Sequence, residues 1–246
     1  MRLTRVYVDA ALEPGLHVVL TGSAASHLTR VLRLRPGDAL TLFNGRGGEY
    51  AGTIDPSPSG GVSVAIGEVR MLERESPLRL TLAQGVSRAE RMDLVVQKAT
   101  ELGVSALVPV LTERSIVRLD PLQAARKVAH WRAIAIAACE QSGRNRVPEV
   151  ATPLALREFT GLARSSGASG ARVLLSPGAT LRLDDLPSPV TEVTVLIGPE
   201  GGLTETEADL ARSAGFIAVR LGPRVLRTET AAIAALTLLQ RKFGDL

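Results

Sequence analysis

The sequence predicts a two-part protein: a small β-barrel followed by an α/β domain with a mainly parallel sheet. Three observations carry this reading. Short apolar-alternating runs broken by glycine- and proline-rich turns fill residues 1–72. From Leu78 onward, strand-like runs alternate with helix-like ones. Between them lies ERESP at 73–77, polar and ending in proline, which reads as a linker. The expected domains are therefore 1–72 and 78–246.

In the first part, RVYVDA and HVVL alternate as half-buried strands do. ALTLFN and EYAGTI flank the glycine-rich turn GRGG, a hairpin signature. DPSPSGG is a turn cluster before the strand VSVAIGEV. Ser26 to Leu34 fits a short helix stopped by Pro36-Gly37, with His27, Arg30 and Arg33 on one face.

In the second part, LRLTLAQGV is a strand and Arg88 to Leu102 a helix, with Leu94, Val95, Lys98, Ala99 and Leu102 at helical spacing. ALVPVLT is the next strand. Asp120-Pro121 is a helix opening, an N-cap acid before a first-turn proline, and that helix runs to about Gly143. ARVLLSPG and TEVTVLIGP are strands. Thr204 with Glu207 forms a capping box for a helix ending near Gly215. AVRLGP is a strand, and a helix from Thr228 to about Phe243 closes the chain. That last helix is apolar nearly all round from Ala231 to Leu239, so it needs burial in the core or at a subunit interface.

Composition narrows the function classes. The chain has 246 residues, 45% hydrophobic and 22% charged, which suits a globular protein and excludes a disordered one. No apolar run approaches the roughly 20 residues of a membrane span. The N-terminus resembles no secretory leader, so a cytoplasmic protein is expected. Cys139 stands alone, and His17, His27 and His130 are far apart, so no metal site is expected. Residues 76–160 carry 12 basic and 8 acidic side chains, whereas the flanking thirds are balanced, so the whole net charge of +4 sits in the middle. Of the 29 basic residues, 26 are arginine, a bias that GC-rich coding explains as readily as nucleic-acid binding does.

Three strand ends carry chemistry. TVLIGPEGGLTETE (194–207) delivers a buried strand to Gly198-Pro199-Glu200-Gly201-Gly202 and then a capped helix. Strand ends beside helix N-termini are where α/β sheets bind small ligands. A tight connection with no ligand is the simpler alternative. A phosphate is disfavoured, because no GxxxxGK[ST] or GxGxxG motif is present and Glu200 puts a negative charge in the loop. RLGPRVLRTETAA (220–232) and LLSPG (174–178) end strands in the same way, with Arg224 and Arg227 just before the final helix. Three such loops would form one pocket for a neutral or zwitterionic heterocycle, held by backbone hydrogen bonds and apolar walls. Basic residues at 88–118 read as a solvated helix face, and CEQSGRNRVPEV (139–150) as a helix capped at Gly143 with charged flanks.

Together, KATELGV, RSIVR, IAIAACEQSGRNRVPEV, IGPEGGLTETE, LGPRVLRTETAA and the N-terminal HLTRVLRLRPGD resemble, over essentially the whole chain, the bacterial small-subunit (16S) ribosomal RNA uracil-N3 methyltransferases of the SPOUT superfamily. The resemblance implies a PUA-like β-barrel joined to a SPOUT domain with a C-terminal trefoil knot. It implies S-adenosylmethionine in a pocket of knot loops, by position Leu175, Ser176, Gly178, Ile197, Gly198, Pro199, Glu200, Gly201, Gly202, Leu221, Gly222, Val225, Leu226 and Arg227. It implies a homodimer acting on one uridine of 16S ribosomal RNA within the assembled subunit. Arg227 is the expected electrostatic catalyst, and Glu200 and Glu229 the expected bases or organisers. Arg2, Arg5, His27, Arg30 and Arg33 of the barrel would grip RNA backbone, and Arg88, Lys98, Arg114 and Arg144 would line the RNA channel.

Overall fold

A computed structural model describes residues 4–56, 61–115, 117, 119–165 and 170–246. Their contacts separate into two units: 1–75 together with 139–147, and 76–138 together with 148–246.

The first unit holds strands β1 (Arg5–Tyr7), β2 (His17–Leu20), β3 (Ala39–Phe43), β4 (Glu49–Asp55) and β5 (Val62–Arg70), and helix α1 (Gly22–Ser26). The sheet order is β1-β3-β4-β5-β2, with β1 parallel to β3 and the other pairs antiparallel. Alternation decides which side of a strand is buried. Val62, Val64 and Ile66 of β5 point inward onto Leu40, Leu42 and Leu28. The expected helix over 26–34 takes another form. α1 passes into a single π turn, His27–Val31, and Arg33 follows with φ +55°. The chain has left helical geometry by Arg33, so His27, Arg30 and Arg33 do not share one helical face.

The second unit alternates strand and helix. Its elements are β6 (Arg79–Gly85), α2 (Ala89–Glu101), β7 (Ala106–Leu111), α3 (Pro121–Ser142), β8 (Glu149–Val150), β9 (Leu154–Ala155), α4 (Leu156–Ser165), β10 (Ala171–Leu175), β11 (Leu181–Arg182), β12 (Glu192–Ile197), α5 (Glu205–Ser213), β13 (Ile217–Arg220) and α6 (Thr228–Phe243). The sheet runs β11-β13-β10-β12-β6-β7-β8, with β9 also on β7, and every pairing is parallel. Parallel strands covered on both faces must be apolar throughout, and Leu80, Leu82, Val193, Val195, Leu196 and Val173 are all buried. The last turn of α3, from Cys139, belongs to the first unit.

Within the first unit, that turn and the loop after it are fastened by polar contacts. The Arg144 guanidinium pairs with Glu75 at 2.5 Å, and Arg74 donates to the Gly143 carbonyl at 2.9 Å. Arg5 donates to Glu49 at 2.5 Å and to Asn145 Oδ1 at 2.6 Å. The Tyr7 amide donates to Glu140 at 2.9 Å. The segment 73–75, expected as part of a linker, is thus pinned inside this unit. Arg5 and Arg144, expected on RNA, are instead internal: their side chains are 5% and 4% exposed and their charges are already met. Removing one partner of such a sheltered pair strands the other charge, so these contacts are structural.

Candidate active site

The site lies in the second unit, at the carboxyl ends of three neighbouring strands. β10, β12 and β13 each stop there and hand the chain to a loop. Loop 176–180 follows β10, loop 198–203 follows β12, and loop 221–227 follows β13. All three loops line one cavity of about 410 Å³.

The local sequence explains each loop. The β12 strand ends at Gly198-Pro199, a dipeptide that leaves the sheet. Gly202, at φ +70°, turns the chain into α5. Thr204 caps α5, accepting from the Glu207 amide, while Glu207 Oε2 accepts from the Thr204 amide at 2.9 Å. The expected capping box is present. The same Glu207 side chain accepts the Glu113 amide at 2.9 Å. Arg114 donates to the Gly201 carbonyl at 3.0 Å, holding the loop from outside.

Close packing fixes the base of the cavity. A Cβ on Gly85 would strike the Pro199 amide nitrogen and come within 2.8 Å of the Gly198 carbonyl carbon. Thr228, the first residue of α6, donates its hydroxyl to the Gly198 carbonyl at 2.7 Å. That hydroxyl accepts from Gln84 Nε2 at 2.9 Å, and the same nitrogen donates to the Gly85 carbonyl at 3.1 Å. Carbonyls can only accept, so the Gln84 amide must face Thr228 with its nitrogen.

Electrostatics divide the expected acids. Glu200 lies in the cavity wall. Burial alone would push its carboxyl up, but the Arg88 amide at 3.0 Å and the Arg91 guanidinium at 3.3 Å outweigh this and hold it below the usual carboxylate range. It is ionised at neutral pH and already engaged. Glu229 sits in the first turn of α6, outside the cavity wall, with Oε2 buried and without a hydrogen-bond partner among the described residues.

Of the expected cofactor contacts, Leu175, Ser176, Ile197, Gly198, Pro199, Gly201, Gly202, Leu221, Gly222, Val225, Leu226 and Arg227 line the cavity, and Gly178 does not. Arg227 is exposed and stands at the N-cap of α6. Of the expected RNA contacts, His27, Arg30, Arg33, Arg88 and Arg114 are exposed, Lys98 is paired with Glu101 at 2.9 Å, and Arg2 lies outside the described residues. Sequence reasoning left Arg91, Gln84 and Thr228 out of the site. Thr228 alone had a local signal, standing at a helix start. The other two act through partners more than a hundred residues away.

The cavity suits a small heterocyclic ligand. Its volume falls in the roughly 300–1,000 Å³ range of small-molecule sites. Leu175, Ile197 and Leu221 offer apolar surface for a heterocycle, and three glycine-bearing loops bring backbone donors and acceptors to its edge.

Comparison with known proteins agrees with this geometry. The RNA methyltransferase domain family matches residues 74–240, and the RNA methyltransferase PUA domain matches residues 20–64. A Legionella pneumophila protein solved in complex with the cofactor SAM is 41% identical, covers both chains completely and superposes with a TM-score of 0.93. The ribosomal RNA small subunit methyltransferase E of Neisseria gonorrhoeae, solved bound to S-adenosyl methionine, is 38% identical over both full chains, TM-score 0.90. The enzyme of that name from Buchnera aphidicola is 34% identical over 100% of this chain and 98% of its own.

Proposed function

The chain belongs to the RNA methyltransferase family, and on that premise we propose that it methylates N3 of one uridine in 16S ribosomal RNA. The coarser activity, S-adenosylmethionine-dependent methylation of small-subunit ribosomal RNA, follows from full-length relatives of that name and from likeness to chains solved with that cofactor bound. The observation that carries the reading is the meeting of three strand-end loops around one cavity, with Arg227 in its wall.

Bound S-adenosylmethionine supplies an electrophilic methyl group on a sulfonium centre. The protein's task is to hold uracil N3 in line with that methyl and to exclude water, and positioning of this kind supplies much of an enzyme's acceleration. Uracil N3 carries a proton at neutral pH; it passes to solvent before the base is seated, and its loss leaves negative charge on the ring. Arg227 answers that charge: its guanidinium cannot deprotonate, and the positive end of the α6 dipole lies beside it. Glu200 is a weak base because Arg88 and Arg91 hold its charge, so its role is to fix the loop after β12. Glu229, outside the wall, organises the first turn of α6, where acids are favoured.

The target base must leave its stack to enter such a cavity. The first unit, as a PUA-like barrel, grips RNA through His27, Arg30 and Arg33, all exposed. Arg88 and Arg114 border the site of transfer. The C-terminal segment forms a SPOUT-type trefoil knot. In support, the chain leaves β13 on the far side of β10, crosses by loop 221–227, and starts α6 bonded to Gly198 and Gln84. The protein is a homodimer in the cytoplasm acting on the assembled subunit. In support, α2 and α6, which pack together, leave Leu94 and Leu238 38% and 46% exposed. The test is incubation with labelled cofactor and small subunits that lack the modification. Labelled N3-methyluridine supports the reading, and label at another position rejects the N3 assignment.

A further inference from the structure

We propose that a groove beside α3 carries the phosphodiester backbone of the RNA that flanks the target nucleotide. This inference rests on the RNA methyltransferase reading above.

The groove, about 440 Å³, is lined by Val117 and Leu119 on one side and by Gln123, Arg126, Lys127 and His130 on the other. The four α3 residues fall at i, i+3, i+4 and i+7, so they form one stripe along the helix. Among the described residues, neither Arg126 nor Lys127 makes an ion pair. The acids nearby have partners of their own: Asp120 accepts the Gln123 backbone amide at 2.8 Å, and Asp93 is taken by His130 at 2.9 Å.

This placement uses two of the twelve basic residues of the middle third of the chain. Arg79, Arg91, Lys98, Arg144 and Arg146 all meet carboxylates. Arg126 and Lys127 are left with charge to offer, and they stand together over a concave surface. An elongated polyanion with apolar riboses fits it: phosphates on the cations and hydrogen-bond donors, riboses on Val117 and Leu119.

Two segments connect the groove with the methyl-transfer cavity. Arg114 donates to Gly201 of the cavity wall, and Val117 of the groove wall follows three residues later. On α2, Arg91 holds Glu200 of the cavity while Asp93, two residues on, holds His130 of the groove. The segments that hold the cavity loop after β12 thus also carry residues of the groove.

The test is the R126A/K127A double variant, with R126K/K127R as the charge-retaining control. Binding to small subunits is measured across 50–200 mM monovalent salt at fixed magnesium. Two lost phosphate contacts should cut the salt slope of log K by roughly 1.4–1.8. KM for subunits should rise about tenfold or more, while kcat at saturating subunit and the Kd for S-adenosylmethionine stay put. R126K/K127R should behave as wild type. An unchanged slope and KM in the double variant would overturn the proposal, as would a changed molar mass in sedimentation, which would assign the face to contact between copies of the chain. Loss of all methylation by the wild type would reject the function itself, whereas an active wild type matched by the double variant rejects only the groove.

Discussion

The Thr228 hydroxyl donates to the Gly198 carbonyl oxygen at 2.7 Å, so the first residue of the last helix holds the loop that follows β12. Gln84 completes the chain from β6, donating to that hydroxyl at 2.9 Å. Three segments far apart in sequence are set in register by two side chains. A buried network of this kind loses its value when any member is removed.

Thr228→Val should therefore weaken S-adenosylmethionine binding about tenfold, the scale of leaving a buried carbonyl unsatisfied. Thr228→Ser keeps the hydroxyl and should bind normally. Gln84→Leu should resemble Thr228→Val, and the double variant should be no worse than either alone. Calorimetry on the four proteins decides this, and additive losses would show that the two residues act separately.

Arg227→Ala should lower kcat roughly 100-fold or more with the cofactor Kd nearly unchanged, the pattern of a group that acts on developing charge. Single-turnover methyl transfer beside a binding titration separates the two quantities. Full turnover in the variant would remove Arg227 from the chemistry.

Glu200 is held below its ordinary range in the folded protein, burial being outweighed by the Arg88 amide and Arg91. A depressed folded value means a stabilising contribution present above the unfolded carboxylate pKa and lost as pH falls through the folded one. Wild type should exceed Glu200→Gln in melting temperature at pH 7, and the gap should close as the solution is acidified below about pH 4. A gap that widens on acidification would contradict the assignment.

Gly85→Ala places a methyl against the Pro199 backbone, which cannot yield as a flexible side-chain tip would. Overpacking of this kind costs about 1–3 kcal/mol. Urea denaturation should show the loss, and S-adenosylmethionine binding should weaken with it because the displaced atoms belong to the cavity loop.

Burial pushes the Cys139 thiol up to about 11, with Arg144 only partly opposing it. Thiolate, the reactive form, is then scarcer than thiol by on the order of a thousandfold at pH 8. Alkylation of the native protein should be slow and should become fast in urea. Rapid labelling without denaturant would mean that the clasp around 139–147 opens readily.

Periodicity and caps made much of this fold legible. α2, α3, α5 and α6 begin and end within a residue or two of where their apolar spacing, the proline at 121 and the Thr204 box put them. α4 went unread, and β8 and β9 are only two residues each. The placement of 139–147 in the first unit was invisible for a different reason. It rests on polar pairs such as Arg5 with Asn145, 140 positions apart, and no local pattern encodes them. The same distance misled the reading of charge: Arg5 and Arg144 look like free cations in sequence and are internal ion-pair members in the fold. The cavity was more legible, because glycine and proline at three strand ends are a local signal. Gln84 and Thr228, which hold two of those ends in place, were not.

The most direct measurement is nucleoside analysis of 16S ribosomal RNA after reaction of unmodified small subunits with this protein and labelled S-adenosylmethionine. A single labelled product, N3-methyluridine, at one position is the expected result. Transfer to another atom or to no nucleotide at all, by folded protein on subunits that a related enzyme can modify, would contradict it.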